Sequence, residues 1–478
     1  PHCCSSLLRQ YFTYATFKMV VFKSRLPDVA PPPPGVGLTD YVLEHIPSHG
    51  DKVATIDSQT GETYTFRELQ GHILSTASAL SRRGLKKGDV VVILSINSHW
   101  YNVFQFGAIH IGCITYGLNL KYAIDDMARQ LDICEPTILA FSPDLKEKAE
   151  ILQKKYSGLK KVFTLGPATG EYESARDLAK EKIELPEIKR DPKKDLAYYF
   201  FSSGTTGFPK AVPATHYKVL YSNLRYKPHD VQLIPKDYVL AIISPMCHPL
   251  SSGMCVVNCF AQGNTIVYFP EYDFIKVLAG IEKYKVNQLI ATSTIANSFA
   301  FDPIVDNYDL SSLKLFVFVA APASGEVLRT MKKRLNILYI RGAYGMTETL
   351  SFSHMTKAWD TEFVPDKGKC GPLMPNTMCK IVHEDTGKEL GKNEAGEILI
   401  KCEMVFDGYL KNPEINKTSF TEDGWYKTGD CGYVDDNEEL IILDRIKDMI
   451  KVYAEQVAPS ALENVLVKHE AVAQVSVI

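Results

Sequence analysis

The chain has 478 residues, of which 45% are hydrophobic and 23% are charged, a composition typical of a globular protein large enough for one or more sizeable cores. Its formal net charge of −3 gives no electrostatic reason to expect nucleic acid or an anionic membrane as a partner. No apolar run reaches the roughly 18–20 residues that a membrane-spanning helix needs, so no transmembrane segment is predicted.

The cysteines indicate the redox environment. The chain has eleven of them, and no two form a C-x-x-C pair, so neither a zinc site nor a thioredoxin-type motif is predicted. An odd number of scattered cysteines in a large chain favours reduced thiols and an intracellular compartment. The sequence leaves open whether that compartment is the cytoplasm, the peroxisome or the mitochondrion.

The first 37 residues are predicted to be a leader and a linker. Residues 1–27 contain Arg and Lys but no Asp or Glu, which is the composition of a mitochondrial presequence. The favoured interpretation is a leader or fragment edge before a start at Met19. A run of four prolines ends at Gly35 and predicts a stiff linker, so the first domain is expected to begin near Leu38.

The next segments alternate between helix and strand patterns. Thr65 and Glu68 form a capping box that predicts the start of an amphipathic helix, and Gly84 is expected to end it. The run Val90–Leu94 predicts a buried parallel strand. Further patterns of the same kind cover residues 101–111 (helix), 113–116 (strand), 145–155 (helix), 286–292 (strand) and 313–321 (strand). The fold class is therefore α/β, a large N-terminal domain of layered sheets and helices with ligands expected beyond strand carboxyl ends.

The pattern changes in the last hundred residues. From about residue 377, short strands separated by turns predict a β-rich subdomain. A domain boundary is predicted after residue 443, which gives a leader and linker (1–37), a large domain (38–443) and a hinge with the start of a small α+β domain (444–478). A second capping box is predicted at Ser460–Glu463. The final apolar strand pattern needs neighbours, so we expect the chain to be cut short.

One loop combines hydroxyl groups, glycines and a lysine. It follows the aromatic strand pattern that ends at Phe201 and contains Ser202, Ser203, Gly204, Thr205, Thr206, Gly207 and Lys210. Hydroxyl donors, glycines that let backbone N–H groups approach a ligand, and a mobile cation together predict a cradle for phosphates. Because Ala211 stands where a P-loop has Ser or Thr, this is not the P-loop of ordinary NTPases. The alternative is a flexible surface turn.

Four motifs in order carry a resemblance to a known family. They are the loop at 202–210, "AYGMTE" at 343–348, "GWYKTGD" at 424–430, and "DRIKDMIK" at 444–451 with "QVAPSALE" at 456–463. The region from Leu38 to the last residue resembles the adenylate-forming (AMP-binding) superfamily, in its branch of coumarate–CoA ligases, acyl-CoA synthetases and luciferases. The resemblance implies that a carboxylic acid attacks the α-phosphate of ATP, giving acyl-AMP and pyrophosphate, and that a thiol then displaces AMP.

The resemblance also implies ATP, Mg²⁺ and CoA as cofactor and co-substrates, and roles for individual residues. The loop at 202–210 would hold phosphates, Tyr344 would pack on adenine, Thr347 would contact the α-phosphate and Glu348 would hold Mg²⁺. Asp430 would accept hydrogen bonds from both ribose hydroxyls, and Arg445 would touch ribose or phosphate. The residue types suit these roles. On the residues alone, Tyr344 could equally belong to the core, Glu348 to the surface and Asp430 to a turn.

Further roles concern the acid and the thiol. By resemblance, His248 would face the acyl pocket and the thiol channel, Lys447 would be the domain hinge, and Lys451 and Gln456 would serve the CoA step. The acyl pocket is predicted at Val317, Phe318 and Val319, where Val319 replaces a glycine of the family and should narrow the pocket. An isolated histidine such as His248 can also be structural.

Departures from the family pattern keep two alternatives open. Ala454 and Glu455 differ from the usual residues of the second-step loop, and the lysine that bridges the substrate carboxylate and the α-phosphate would lie beyond Ile478. The leading hypothesis is an ATP-dependent carboxylic acid–CoA ligase for an acyl or aromatic acid. The alternatives are an acyl-adenylating protein with a non-CoA acceptor and a catalytically weak nucleotide-binding homologue.

Overall fold

The computed structural model describes residues 20–202, 208–319, 324–357, 359, 361, 368–452, 455–457, 459–466, 472, 475 and 477. These residues form a mixed α/β fold, as the alternating helix and strand patterns predict. Among them, no helix combines the length and the apolar character that crossing a bilayer requires. The cysteines in these ranges are free, and most of them are buried.

The strands range from two to nine residues. In chain order they are β1 (Phe22–Lys23), β2 (Val53–Asp57), β3 (Thr63–Thr65), β4 (Val90–Leu94), β5 (Ile114–Gly117), β6 (Ile138–Phe141), β7 (Lys161–Thr164), β8 (Glu173–Ser174), β9 (Leu196–Ser202), β10 (Lys210–Thr215), β11 (Val239–Ile242), β12 (Thr265–Tyr268), β13 (Gln288–Thr292), β14 (Leu315–Val319), β15 (Tyr339–Met346), β16 (Ser351–Met355), β17 (Lys369–Gly371), β18 (Met378–Val382), β19 (Glu389–Leu390), β20 (Gly396–Lys401), β21 (Tyr426–Val434), β22 (Leu440–Arg445), β23 (Ile450–Val452) and β24 (Glu455–Val457).

The helices lie between these strands. They are α1 (Leu38–His45), α2 (Phe66–Arg82), α3 (His99–His110), α4 (Ile124–Cys134), α5 (Lys146–Lys155), α6 (Ala175–Leu178), α7 (His216–Leu224), α8 (Val256–Gln262), α9 (Phe274–Tyr284), α10 (Ser293–Phe301), α11 (Gly325–Leu335), α12 (Pro413–Ser419) and α13 (Pro459–Leu466). Single 3₁₀ turns occupy Ile46–His49, Pro143–Leu145, His229–Val231, Pro303–Asn307, Thr347–Thr349 and Ile446–Asp448, and a π-helical turn occupies Pro249–Cys255.

Three large sheets organise the molecule. Two are largely parallel, in the strand orders β10-β9-β5-β4-β6-β7-β8 and β16-β15-β14-β13-β11-β12-β2-β3. The third is antiparallel, in the order β1-β18-β20-β21-β22-β17, with β19 paired to β18. Apolar side chains between these sheets and the helices form the core clusters. Strands β18 to β22 of the third sheet form the β-rich region that the sequence predicts from about residue 377, and β1 and β17 join this sheet from earlier in the chain.

The start and the end of helix α2 match the local sequence signals that predict them. Helix α2 begins with the predicted capping box, because the Thr65 N–H donates to Glu68 Oε2 at 2.7 Å and the Glu68 N–H donates to Thr65 Oγ1 at 3.2 Å. Gly84 follows the end of this helix with φ = +83°, a conformation that glycine adopts without strain. The side chain of Ser460 in the second predicted capping box lies outside the described residues.

The N-terminal segment differs from the prediction of a leader and linker up to residue 37. Strand β1 pairs with β18, with Phe22 opposite Cys379. The Val20 N–H donates to Glu389 Oε2 at 2.9 Å, and the Val29 N–H donates to Asn376 Oδ1 at 2.8 Å. The segment from residue 20 onward therefore packs on the third sheet, where the backbone of β1 pairs with part of β18 that would otherwise lie at an edge.

Candidate active site

Three of the predicted motifs meet at one place in the fold. Tyr344 and Glu348 lie at the end of β15 and in the turn that follows it, Asp430 lies on β21, and Lys210 begins β10. Burial raises the pKa of the Asp430 carboxyl, and the negative charge of Glu348 raises it further, which places the two carboxylates within electrostatic reach of each other. Sheet formation thus brings together residues that are far apart in the chain.

Asp430 is held by two donors. The Tyr344 hydroxyl donates to Asp430 Oδ2 at 2.5 Å, and Arg445 Nε lies 2.8 Å from Asp430 Oδ1. Asp430 and Arg445 are register partners on β21 and β22, so the ion pair follows from strand pairing. Burial raises the pKa of Asp430, whereas Arg445 and then the Tyr344 hydrogen bond lower it. The carboxylate is 4% exposed and has lone pairs left for further donors.

Glu348 is the second buried carboxylate of the site. It is 7% exposed, and its Oε1 accepts a hydrogen bond from the Tyr409 hydroxyl at 2.7 Å. Burial raises the pKa of Tyr409 above its ordinary value, and the charge of Glu348 acts in the same direction, so the tyrosine remains a protonated donor. Among the described residues no hydrogen bond occupies Glu348 Oε2. A buried carboxylate oxygen of this kind suits a hard cation such as Mg²⁺.

The predicted phosphate loop connects two paired strands. Ser202 at the end of β9 is the register partner of Lys210 at the start of β10, so the loop closes a hairpin. Residues Ser203, Gly204, Thr205, Thr206 and Gly207 lie outside the described residues. The Lys210 ammonium lies 4.8 Å from the centroid of the Tyr409 ring, and Ser202 is also a neighbour of that tyrosine. Both described ends of the loop therefore lie beside Tyr409, whose hydroxyl contacts the Glu348 carboxylate.

His248 lies at a small cavity. It precedes the π-helical turn, and burial, followed by the charge of Lys121, lowers its pKa. The cavity has a volume of about 10 Å³, which is room for about one water molecule. Its lining consists of His248, Gly117, Asn119, Tyr122, Gln130, Phe201 and Cys247. Since Phe201 directly precedes Ser202, the cavity lies next to the strand that carries the phosphate loop.

Two residues at this site escaped the sequence predictions. Gln130 is 2% exposed, and neither of its amide atoms has a hydrogen-bond partner among the described residues, so a polar group in the cavity could satisfy it. Tyr409 connects Glu348 with Lys210. Neither residue belongs to a motif with an obvious chemical role, and no signal in the sequence alone singles them out.

The predicted acyl-pocket residues do not share one face. Val317 and Val319 belong to one core cluster or its edge, together with Ala343 and Tyr344. Phe318 lies in another cluster, because successive side chains of a strand point to opposite faces of the sheet. Phe318 therefore packs apart from its two neighbours, and its place in the acyl pocket stays a prediction. Val317 is buried in the first cluster, and Val319, like Tyr344, is partly buried against that cluster.

The remaining predicted residues are Thr347, beside Glu348, and three residues near the C-terminal end of the described structure. Thr347 begins the 3₁₀ turn that also carries Glu348, and its side chain is partly buried. Lys447 lies in the turn between β22 and β23, with its ammonium 3.8 Å from Asp448 Oδ1. Lys451 and Gln456 are register partners in the β23–β24 hairpin. Their side chains lie outside the description, so their proposed roles stay predictions.

Comparisons with known proteins identify the family of the chain. The sequence profile of the AMP-binding enzyme family matches residues 43–410. The chain is 33% identical over 462 residues to 4-coumarate–CoA ligase 5 from Oryza sativa subsp. japonica, covering 96% of this chain and 85% of the relative. It is 31% identical over 475 residues to probable 4-coumarate–CoA ligase 1 from Dictyostelium discoideum, covering 96% and 85%.

Solved structures show the same fold. ATP-bound MatB from Rhodopseudomonas palustris superposes with a TM-score of 0.81 at 25% identity, covering 93% of this chain and 86% of that one. A long-chain-fatty-acid–CoA ligase from Archaeoglobus fulgidus superposes with a TM-score of 0.78 at 26% identity, covering 96% and 91%. With the profile match over most of its length and these relatives, the chain belongs to the AMP-binding enzyme family.

Proposed function

We propose that this protein is an ATP-dependent carboxylic acid–CoA ligase of the AMP-forming type. The observation that carries the proposal is the convergence of the buried Glu348 and Asp430 carboxylates and the Lys210 ammonium around Tyr344 and Tyr409. Two buried carboxylates with Lys210 and Arg445 nearby, beside a phosphate-loop hairpin, suit a magnesium nucleotide. The names of the relatives, which are CoA ligases, support the same class of reaction.

In this proposal the protein acts by orientation and charge. Asp430 accepts the ribose hydroxyls, Tyr344 packs on adenine, and Thr347 and Lys210 donate to phosphate oxygens. Glu348 would hold Mg²⁺, which neutralises phosphate charge when bound. The acid's carboxylate oxygen attacks the α-phosphorus and the bond to pyrophosphate breaks. No protein nucleophile is needed, so positioning and electrostatic stabilisation supply the rate enhancement.

The acid and the acceptor are proposed from weaker observations. The walls around Val317 and Val319 are apolar, which favours an acyl or aromatic acid, and Val319 would limit its width. His248, Lys451 and Gln456 would serve the transfer to the CoA thiol. The free, mostly buried thiols support an intracellular location for the protein.

Acid-dependent exchange of labelled pyrophosphate into ATP tests the first half of the proposal. We expect exchange only with a carboxylic acid present, and loss of exchange in Glu348→Gln. Absence of exchange with a broad panel of acyl and aromatic acids would favour a catalytically weak nucleotide-binding protein. AMP release that depends on CoA tests the second half, and acid-dependent exchange without CoA-dependent release would indicate a different acceptor.

A further inference from the structure

Tyr409 lies between the two charged groups on which the proposed magnesium-nucleotide site depends. Its hydroxyl donates to Glu348 Oε1 at 2.7 Å, and its ring centroid lies 4.8 Å from Lys210 Nζ. The residue is 7% exposed. Lys210 and Glu348 form no ion pair with each other among the described residues, but both contact Tyr409.

The backbone of Tyr409 is fixed on both sides. Its N–H donates to Asn416 Oδ1 at 2.7 Å, and Asn416 Nδ2 donates to the Tyr409 carbonyl at 2.9 Å. The next residue, Leu410, donates its N–H to the Ala211 carbonyl on β10 at 2.9 Å. The Phe406 N–H donates to the Glu348 carbonyl at 2.8 Å. The segment that carries Tyr409 is thus bound both to the lysine strand and to the glutamate turn.

We propose that Tyr409 is a positioning residue that orients the Glu348 carboxylate for the divalent cation of the ATP complex and holds the Lys210 ammonium beside it. This inference rests on the proposed function, in which Glu348 holds that cation. Because Tyr409 occupies Oε1, Oε2 is the oxygen left for the metal. Hydrogen-bond partners of metal-binding carboxylates typically change metal affinity by about 10–100-fold when they are removed. The aromatic ring attracts the lysine without cancelling its charge.

The test compares metal binding with activity and stability in Tyr409→Phe. Mn²⁺ binding to the enzyme–ATP complex is followed by electron paramagnetic resonance, and the Mg²⁺ concentration for half-maximal pyrophosphate exchange is measured separately. We expect Tyr409→Phe to weaken Mn²⁺ binding by about 10–100-fold and to recover its turnover at high Mg²⁺. Tyr409→Leu, which also removes the ring, should raise the KM for ATP as well.

A matched control is available in the Tyr217–Glu403 pair. The Tyr217 hydroxyl donates to Glu403 Oε2 at 2.6 Å, so Tyr217→Phe removes the same kind of hydrogen bond from a carboxylate other than Glu348 and should leave Mn²⁺ affinity unchanged. Replacing Tyr409 with 4-aminophenylalanine restores a donor and should restore Mn²⁺ affinity. If Tyr409→Phe does not fold, 4-fluorophenylalanine at position 409 fills the space of the hydroxyl without donating.

The outcomes separate this inference from the proposed function. Unchanged Mn²⁺ affinity in the folded donor-free variant, with only a loss of stability, would overturn the positioning role and leave the ligase proposal standing. A double variant with Glu348→Gln should bind Mn²⁺ no more weakly than Glu348→Gln alone, since the tyrosine acts through that carboxylate. If the wild-type ATP complex binds no Mn²⁺, or Glu348→Gln binds it as well as wild type does, the metal assignment itself fails.

Discussion

Replacement of Asp430 by Asn tests the ribose assignment with little change in shape. An Asn side chain can still accept from Arg445 Nε, which lies 2.8 Å from Asp430 Oδ1, and the Tyr344 hydroxyl can reverse to accept from the new amide. Burial raises the pKa of Asp430, so the charge that is removed was already costly to bury. We therefore expect the free energy of unfolding to change by no more than about 1 kcal/mol.

The loss of nucleotide affinity should be much larger. A hydrogen bond to a charged group contributes about 1.5–3 kcal/mol and a neutral one about 0.5–1.5 kcal/mol. Converting two charged bonds to the ribose hydroxyls into neutral ones costs about 2–3 kcal/mol, or roughly a hundredfold in Kd. Calorimetric titration with ATP measures this loss. Asp423→Asn, at an aspartate that is 61% exposed, is the control and should bind ATP normally.

Binding of deoxynucleotides tests whether the loss of ATP affinity in Asp430→Asn comes from the ribose hydroxyls. Wild type should bind 2′-deoxy-ATP and 3′-deoxy-ATP more weakly than ATP, whereas Asp430→Asn should discriminate much less among the three. Equal discrimination by both proteins, or an unchanged Kd for ATP in Asp430→Asn, would show that Asp430 does not bind the ribose hydroxyls.

Two further predictions concern the acyl pocket and acid stability. Val319→Gly should admit bulkier acids, whereas Phe318→Leu on the opposite face of β14 should not; a panel of acids in the exchange assay measures this, and no widening would remove Val319 from the pocket wall. Burial lowers the pKa of His216 and of His354 to about 3, so the unfolded chain takes up protons first as the pH falls below the ordinary histidine pKa of about 6.5. The stability that each neutral, buried histidine contributes is present in full above pH 6.5 and is lost as the pH falls towards 3. The loss amounts to roughly 2 kcal/mol per histidine by pH 5. Urea unfolding at pH 7 and pH 5 measures the free energy of unfolding at each pH, and this energy should fall less in His354→Gln than in wild type. His229→Gln, which replaces a histidine that is 75% exposed, is the control and should behave like wild type.

Features that depend on neighbours in the chain could be predicted from the sequence. The capping box of α2 involves Thr65 and Glu68, which are three positions apart, and its two hydrogen bonds form as predicted. The ends of the phosphate loop are close in sequence, and the register of β9 and β10 places Ser202 opposite Lys210. Such signals are local, so the surrounding fold has little opportunity to override them.

Features that depend on distant pairing could not be read in this way. Tyr409 and Glu348 are 61 positions apart, and only the packing of the segment after β20 against β10 and the Glu348 turn brings them together. Phe318 illustrates a different point. Three adjacent residues are predicted to line one pocket, whereas the period of a strand places the middle one in a different core cluster from its neighbours. Likewise, nothing in residues 20–29 indicates that their partners would be Cys379 and Asn376.

The two buried carboxylates of the site differ in the charge of their partners, and this difference fits their proposed ligands. Asp430 is paired with the guanidinium of Arg445 as well as with Tyr344, so much of its charge is compensated, which suits an acceptor for the neutral hydroxyls of ribose. Glu348 has a neutral donor, Tyr409, within hydrogen-bond distance, so its negative charge remains for a cation. A cationic partner in place of Tyr409 would compete with the metal. A buried carboxylate without any donor would be costly. A tyrosine hydroxyl supplies the donor and adds no positive charge that would compete with the metal.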